Sequence, residues 1–364
     1  MWSIHVSLSG GEIMKYAYKT MYRIKNFNIE LFIWNKERIE TIIQILTKIS
    51  TYKPLFNYSE YRNIQENKYL YEINNHEFKK CIFCLKDSNQ TSFEKIPHVI
   101  PYLLGNNYLL HYEECDKCNE YFGNTLECEL DKYVTPHRTL NRLKNRSGNL
   151  ISTNLGKNRQ FKFDQSKETY TGDFYEDEIT FAENSNIVTF KLKQNKYVPM
   201  TVYKSLMKIS YGLLPREHLN NFEKLRQWII NPDVNFKLFS PMNVVKTRLD
   251  GFSTSVLDFI ILHKKVSNLD EFNENLPLKE DFEYLVFFRF GSIVLEFPLF
   301  TDLCFEKLSV LKEKNLPLEF NLPNIPKPGY PTNREIIDFS DTIKKSTSEP
   351  MYFQYDRVIS EKLE

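Results

Sequence analysis

Apolar residues recur with two different periods along the chain, and these periods predict where strands and helices lie. In residues 27–34, every second residue from Phe27 to Ile33 is apolar, which is typical of a strand with one buried face. Residues 37–49 repeat isoleucine and leucine at helical spacing and therefore predict a helix. We interpret residues 1–78 as a first α+β unit.

The segment from residue 79 to residue 148 mixes short apolar runs with a longer helical repeat. Residues 82–85 and 91–100 have the pattern of short strands. Residues 119–133 predict a helix, because apolar positions recur every fourth residue at Phe122, Leu126 and Leu130. We therefore expect short strands followed by a helix.

A second helix is expected directly behind the first one. Thr135 followed by Pro136 has the pattern of an N-cap and a proline at the first helical position. The helix would end near Arg146, since Gly148 stands just beyond it. Three arginines spaced four apart would then share one helix face: Arg138, Arg142 and Arg146.

The segment from residue 149 to residue 331 is predicted to be a β-rich α+β domain. Strand patterns cover residues 170–175, 178–181, 186–192, 256–263 and 283–290. Gly291 and Ser292 predict a tight hairpin into residues 293–297. Helical repeats follow Pro199 and cover residues 222–230.

The last part of the chain lacks a clear period. After Leu299 the pattern becomes irregular and rich in proline, at Pro317, Pro323, Pro326, Pro328 and Pro331. We interpret residues 332–364 as a loosely held C-terminal tail.

Composition favours an ordered globular protein. The chain has 364 residues, of which 41% are hydrophobic, enough for a sizeable core and for about two or three domains. No apolar run approaches the roughly 20 residues that span a bilayer, and the first residues lack a signal-peptide core. We expect a cytoplasmic protein without a membrane segment.

Charge is balanced overall but uneven along the chain. The net charge is +1, yet residues 132–163 contain no Asp or Glu. Two interpretations remain open for this segment: a solvated face, or a surface that binds phosphate. Its basic residues are Lys132, Arg138, Arg142, Lys144, Arg146, Lys157, Arg159 and Lys162.

Two CxxC pairs contain four of the six cysteines, Cys81 with Cys84 and Cys115 with Cys118. In a chain that is not secreted, such pairs are typical of metal ligands, and four thiolates form a closed tetrahedral zinc site. A purely structural zinc ribbon would explain the cysteines by themselves. His98 lies between the pairs, and Asn119 follows the second pair directly.

This order of motifs resembles the HNH endonuclease family, in the subgroup whose ββα-metal core is stapled by a four-cysteine zinc. The strings HVIPYLLGN and ECDKCNEYFGNTLE carry the resemblance, which covers residues 79–138. The matching residues are Cys81, Cys84, His98, Ile100, Pro101, Leu104, Gly105, Cys115, Cys118, Asn119, Phe122 and Glu127. The resemblance implies a zinc-stapled ββα-metal module, which we place at residues 79–148. Together with the patterns above, the predicted fold class is α+β, with an N-terminal α+β unit before this module and a β-rich α+β domain after it.

The resemblance also implies roles for individual residues. His98 would be the general base that takes a proton from the attacking water, and Asn119 would bind a catalytic Mg²⁺ or Mn²⁺. The zinc would hold the two residues against one phosphate.

Two further roles have more than one candidate. The family often has a carboxylate directly before the base histidine, but Pro97 stands there, so Glu94 and Glu127 are the candidates for the missing metal ligand. Asn106 or Asn107 would orient the base.

The implied function is a metal-dependent DNA endonuclease with a role in bacterial anti-phage defence. Four basic residues would hold the backbone: Arg138, Arg142, Lys144 and Arg146. RNA stays open as a substrate, and a homodimer, a regulatory partner protein or a signal ligand is possible. The alternative is a catalytically degenerate HNH fold that binds nucleic acid or serves as a scaffold.

Other notable residues are assigned no function. His111 and His137 are expected at the surface, and Cys128 and Cys304 are expected to be buried thiols. No glycine-rich phosphate loop occurs, so we expect no ATPase.

Overall fold

The computed structural model describes most of the chain. The described ranges are 2–8, 18–24, 27–33, 53–61, 64–71, 79–182, 187–233, 235–248, 256–264, 282–313 and 334–362. The predicted helix at 37–49 and the proline-rich stretch after residue 313 lie outside them.

The described elements are seventeen strands and five α-helices. The strands are β1 (Trp2–Leu8), β2 (Tyr18–Ile24), β3 (Phe27–Ile33), β4 (Lys53–Asn57), β5 (Lys68–Tyr69), β6 (Leu109–Leu110), β7 (Thr153–Gly156), β8 (Arg159–Asp164), β9 (Thr169–Phe174), β10 (Ile179–Phe181), β11 (Ile187–Lys193), β12 (Asn243–Arg248), β13 (Leu257–His263), β14 (Tyr284–Phe290), β15 (Ile293–Leu299), β16 (Arg334–Asp338) and β17 (Ser348–Lys362). The helices are α1 (Asp116–Phe122), α2 (Cys128–Leu140), α3 (Pro199–Leu213), α4 (Glu223–Ile230) and α5 (Asp302–Glu313). A π-helical turn, Gly123–Glu127, joins α1 to α2.

Two antiparallel sheets form the framework. The first has seven strands in the order β10-β11-β17-β1-β9-β8-β7, and the second has six in the order β16-β12-β15-β14-β13-β4. Buried and exposed residues alternate along β9 and β11, so one face of the first sheet is covered. Its core is aromatic and includes Phe161, Tyr170, Phe174 and Phe190.

Helix α3 is the central element, since every one of its residues is buried. A helix that is apolar on most sides needs neighbours all round it. One continuous core joins α3 and α4 to the zinc-side residues Phe83 and Phe122 and to the second sheet. The segment with the cysteines is therefore packed into the body of the protein.

Most of the predicted strands and helices are confirmed. Strands β3, β9, β10, β11, β13 and β14 and helices α3 and α4 lie where the periods predict them. The hairpin is also confirmed: Phe290 pairs with Ile293, and Gly291 has a φ of +57° at the turn.

The prediction of an irregular chain after Leu299 is wrong for residues 302–313, which form α5. Thr301 caps this helix, because its Oγ1 accepts a hydrogen bond from the Cys304 amide at 3.1 Å. Phe305 then packs on Phe282 and Phe300, so the helix gains a small core of its own.

Three predictions around the cysteines are wrong. Residues 82–85 form a turn, and residues 91–100 form loops with a single bridge at His98, because local hydrogen bonds around the two CxxC pairs hold this backbone instead of a strand ladder. Pro136 lies inside α2, which ends at Leu140. The Thr135 hydroxyl bonds the Asp131 carbonyl at 2.7 Å and therefore caps no new helix.

Sheet pairing crosses the predicted domain boundaries. Strand β1 pairs with β17 and β9, and β4 pairs with β13, so strands from the first 78 residues complete both large sheets. Strands β16 and β17 lie within the segment expected to be a loosely held tail. The division at residues 78, 148 and 331 stays a prediction.

Candidate metal centre and nuclease site

The four cysteines of the CxxC pairs converge at one point. Their Sγ atoms lie within 4.8 Å of one another, and those of Cys84 and Cys115 are 3.7 Å apart. A tetrahedral zinc with Zn–S bonds of about 2.3 Å requires sulfur atoms roughly 3.8 Å apart. All four thiols are free of disulfides. The donor set and its spacing therefore fit zinc.

Local backbone bonds build the first knuckle. The Cys81 amide donates to the Lys86 carbonyl at 2.8 Å, and the Leu85 amide donates to the Cys81 carbonyl at 2.9 Å. Leu85 has a φ of +62°, so the chain turns back on itself directly after Cys84. This turn brings both sulfur atoms of the pair to the same side.

The second knuckle is the start of α1. Cys115 is the N-cap residue, and Asp116 follows with its carboxylate accepting from the amides of Glu94 and Lys95 at 3.0 and 2.8 Å. The loop that leads to His98 is thus tied to the helix that carries Asn119.

Helices α3 and α4 hold the knuckles from behind. The Arg226 guanidinium donates to the Phe83 carbonyl, and the Tyr211 hydroxyl donates to the Ile82 carbonyl at 3.3 Å. Tyr121 donates from its hydroxyl to the Asn231 carbonyl at 2.9 Å. Residues outside the motif segment therefore position the metal ligands.

His98 lies in a short ladder beside β6. It bridges to Leu110, while the Val99 amide donates to the Leu109 carbonyl at 3.3 Å and the His111 amide donates to the Pro97 carbonyl at 2.8 Å. The ring is half-buried against Tyr102, with ring centroids 5.8 Å apart. Its Nδ1 is buried and has no hydrogen-bond partner among the described residues.

The environment of His98 favours the neutral imidazole. Burial lowers the pKa of His98 below its usual value of 6.5, and the positive charges of Arg146 and Lys208 lower this pKa further. A neutral ring near physiological pH can accept a proton, as a general base must.

Asn119 lies on α1, one turn after Cys115. Its amide donates to the Cys115 carbonyl at 2.9 Å, and its side chain is half-buried. Asn119 is therefore fixed to the second knuckle. His98 is linked to the same knuckle, because Asp116 binds the amides of Glu94 and Lys95 in the loop before it.

The two asparagine candidates for orienting the base have different environments. Asn106 is buried, and its side-chain amide donates to the carbonyls of Ile100 at 2.7 Å and Leu109 at 2.9 Å. Its Oδ1 accepts from the Leu109 amide at 3.0 Å. Asn106 thus fixes the loop between the two sides of the His98 ladder, while Asn107 is exposed.

The carboxylate candidates do not gather around His98. Glu94 is exposed on a loop, and Glu127 pairs with the Lys208 ammonium at 3.4 Å. Within the described ranges, only the four cysteines form a group of three or more potential metal ligands of the His, Cys, Asp and Glu types. Among the residues that the structure describes, the candidate carboxylates therefore form no ligand set beside His98, and Asn119 is the candidate ligand that the cysteine segment positions.

A buried ion cluster lies behind the motif, and sequence reasoning did not find it. Lys208 of α3 is fully buried and contacts Glu114 at 3.1 Å as well as Glu127. Burial raises the pKa of Glu114 to about 7, against the opposing effect of Lys208. Burial by itself lowers the pKa of Lys208, but the negative charges of Glu114 and Glu127 have the larger effect and raise this pKa. Lys208 lies 81 or more positions after both glutamates, so no local pattern in the sequence predicts the cluster.

The predicted arginine stripe does not form one face. Arg138 is buried and paired with Asp131, whereas the Arg142 guanidinium lies 3.9 Å from the centre of the Phe163 ring. Lys144 and Arg146 are exposed beyond the end of α2. The stripe is broken because the helix ends at Leu140, and Arg142 adopts a φ of +55°.

Both histidines expected at the surface are buried. His111 is 2% exposed and packs beside Phe83, with ring centroids 5.9 Å apart, and burial lowers the pKa of His111 well below its usual value. His137 contacts Glu349 at 3.0 Å and Ser292 at 3.2 Å. Burial, together with Lys246 and Arg248, lowers the pKa of His137 to about 3.

The two remaining cysteines also differ from expectation. Cys128 is exposed and donates to the Gly123 carbonyl at 3.1 Å, because the π-helical turn rotates it outward. Cys304 is half-buried.

Comparison with known proteins identifies the motif segment. Residues 81–135 match the family model of HNH endonucleases, so this segment is an HNH endonuclease domain, as the resemblance in the sequence indicated. No curated protein and no solved structure matches the chain. No described helix is long and apolar enough to cross a membrane.

Proposed function

We propose that the HNH domain of residues 81–135 makes this protein a metal-dependent endonuclease that hydrolyses phosphodiester bonds in DNA. The observation that carries the proposal is His98, a half-buried imidazole with a lowered pKa, set on a ladder that the zinc-knuckle segment fixes. A phosphodiester of either nucleic acid suits such a site, and DNA is the substrate that we propose.

In this mechanism His98 takes a proton from a water molecule, and the water oxygen forms the new bond to phosphorus as the bond from phosphorus to the 3′-oxygen breaks. The leaving 3′-oxygen takes up a proton from solvent water and becomes a hydroxyl. Burial of the ring lowers its pKa and keeps the imidazole neutral before it accepts the proton. A bound Mg²⁺ or Mn²⁺ would supply electrostatic stabilisation of the phosphate, with Asn119 as its ligand. The zinc at the four cysteines has a structural role only.

The exposed basic residues next to the site would hold the phosphate backbone. Lys144 and Arg146 are exposed, and the positive charge of Arg146 acts on His98. Arg142 is exposed as well, although its guanidinium packs on Phe163. Arg138 is committed to Asp131, so its contribution would be to shape the end of α2.

Three broader roles belong to the same proposal. The protein would act in the cytoplasm, in bacterial defence against phage. Two copies would cut both strands of a duplex, since one active site cuts one strand. A partner protein or signal ligand bound by the β-rich part would control the activity.

A second candidate is a catalytically degenerate HNH domain that binds nucleic acid. Two observations favour it: Pro97 has no side-chain donor, and Glu127 is held by Lys208. Under this alternative the domain would bind nucleic acid without cleaving it, and His98 would not act as a base.

Cleavage of supercoiled plasmid DNA and of an RNA of equal length tests the proposal. The wild-type protein is compared with His98→Ala over a series of Mg²⁺ and Mn²⁺ concentrations. His263→Ala serves as a control, because His263 is also half-buried but lies on β13. We expect wild type and His263→Ala to cut, and His98→Ala to lose about 100-fold or more in rate. Equal rates for wild type and His98→Ala would favour the degenerate alternative.

A further inference from the structure

An exposed aromatic surface adjoins His98. Strand β5 runs parallel to β6, with Tyr69 opposite Leu110, and Leu110 is also the residue that bridges to His98. Residues paired directly across a ladder project to the same face, and neighbouring strands lie about 4.8 Å apart. Tyr69 therefore lies on the His98 face, roughly 10 Å away across two strand spacings.

Aromatic rings and a lysine lie together on this surface. The Tyr69 and Tyr112 rings form an edge-on pair with centroids 5.4 Å apart, and the Lys79 ammonium lies 4.3 Å from the centre of the Tyr112 ring. The Tyr108 carbonyl accepts a hydrogen bond from the Lys68 amide at 2.9 Å, which ties Tyr108 to β5. We call Tyr69, Lys79, Tyr108 and Tyr112 the tyrosine–lysine track.

Two tyrosines of the track are much more exposed to solvent than the side chains of an apolar core. Tyr69 is 36% exposed and Tyr108 is 38% exposed. The Lys79 ammonium contacts the rings of Phe93 and Tyr112, and in the part of the chain that the structure describes it forms no ion pair with a carboxylate. Arg146 lies 6.0 Å from the centre of the Tyr102 ring, which itself packs on His98, so positive charge flanks the histidine on a second side.

This combination fits one chemical class of ligand. Aromatic rings beside positive charge bind single-stranded nucleic acid, because unpaired bases stack on the rings while the phosphates contact the cations. Bases inside a duplex cannot present their faces in this way. A distance of roughly 10 Å corresponds to a few nucleotides of one strand.

We infer that the tyrosine–lysine track binds the unpaired nucleotides of a single strand and leads that strand to His98. The inference rests on the proposed nuclease function and narrows its substrate to single-stranded or locally opened nucleic acid. The shared chemistry covers DNA and RNA, which differ at the 2′-hydroxyl.

Fluorescence anisotropy with the full-length protein, in buffer without Mg²⁺ or Mn²⁺, tests the inference. The probes are labelled oligo(dT), oligo(rU) and a duplex, each about 12 nucleotides long. The variants are Tyr69→Ala, Tyr69→Phe, which keeps the ring, and Lys79→Gln. Phe181→Ala is the matched control, because Phe181 is 38% exposed but lies on β10 of the first sheet.

We expect Tyr69→Ala to weaken single-strand binding about 10-fold, with Tyr69→Phe and Phe181→Ala close to wild type. Lys79→Gln should reduce the slope of log affinity against log salt concentration by about one. Tighter binding of one oligonucleotide identifies DNA or RNA as the natural strand, and either result supports the inference. Thermal melting checks that Tyr69→Ala is folded.

Two results would overturn the inference: no single-strand binding by wild type, or a Tyr69→Ala variant that binds single strands as tightly as the Phe181→Ala control. Equal weakening for duplex and single strand would also overturn it. The nuclease proposal fails separately, if neither plasmid nor RNA is cut while Tyr69 still selects for single strands.

Discussion

At the scale of single residues, side chains from distant helices support the cysteine segment: Arg226 donates to the Phe83 carbonyl, and Lys208 contacts Glu114 and Glu127. The CxxC spacing, His98 and Asn119 are local signals that could be predicted from the sequence. Lys208 and Arg226 could not be, because they reach the motif from helices about a hundred residues away, and only the folded chain brings them there. The buried positions of His111 and His137 depend on tertiary packing in the same way.

The pKa of His98 gives a prediction for the pH dependence of cleavage. Burial, Arg146 and Lys208 lower this pKa from 6.5, so the neutral base is lost only when the pH falls below the usual histidine range. The cleavage rate should therefore rise with pH and level off with a midpoint below 6.5. Rates measured from about pH 5 to about pH 8 check this, and a midpoint above the ordinary histidine value would contradict it.

At the scale of elements, the zinc knuckles replace the regular strands that the apolar runs suggested. The helical period correctly predicted one helix at residues 119–133. It could not show that α1, the π-helical turn and α2 continue through Pro136, since a proline more often marks a helix start or end. The metal site and this helix form one unit because Cys115 is the N-cap residue of α1.

Loss of one zinc ligand should unfold this unit. Cys115→Ser removes a thiolate, and since zinc binding contributes directly to folding, the variant should lose its zinc and its cooperative unfolding transition. Cys128→Ser is the control, because Cys128 is exposed and outside the cluster. Metal analysis and thermal unfolding measured together check the prediction. A Cys115→Ser protein that retains zinc in equal amount would contradict the assignment of the site.

At the scale of the whole molecule, the HNH segment does not stand apart from the rest. Its apolar residues share one core with α3, α4 and the second sheet. The alternating patterns predicted most strands, but they contain no information on which strands pair with each other. The pairing of β1 with β17, across nearly the whole chain, could therefore not be predicted from the sequence.

Lys208 should be a main link between α3 and the HNH segment. Lys208→Met would leave Glu114 and Glu127 without their cation, and breaking a buried ion pair costs about 3–5 kcal/mol. Lys224→Met is the control, since Lys224 is exposed and meets Glu306 only at 4.0 Å, a contact worth about 1 kcal/mol at most. Urea unfolding gives both free energies, and equal losses in the two variants would show that the buried cluster adds no stability.

In the proposed mechanism, zinc bound by the four cysteines would hold His98 and Asn119 so that they act as one catalytic unit. The most direct test compares the cleavage rates of His98→Ala, Asn119→Ala and the double variant with that of wild type. Residues that act together are strongly non-additive, so the three variants should fall to about the same residual rate. A double variant whose loss equals the product of the two single losses, or single variants that cut as fast as wild type, would contradict the account.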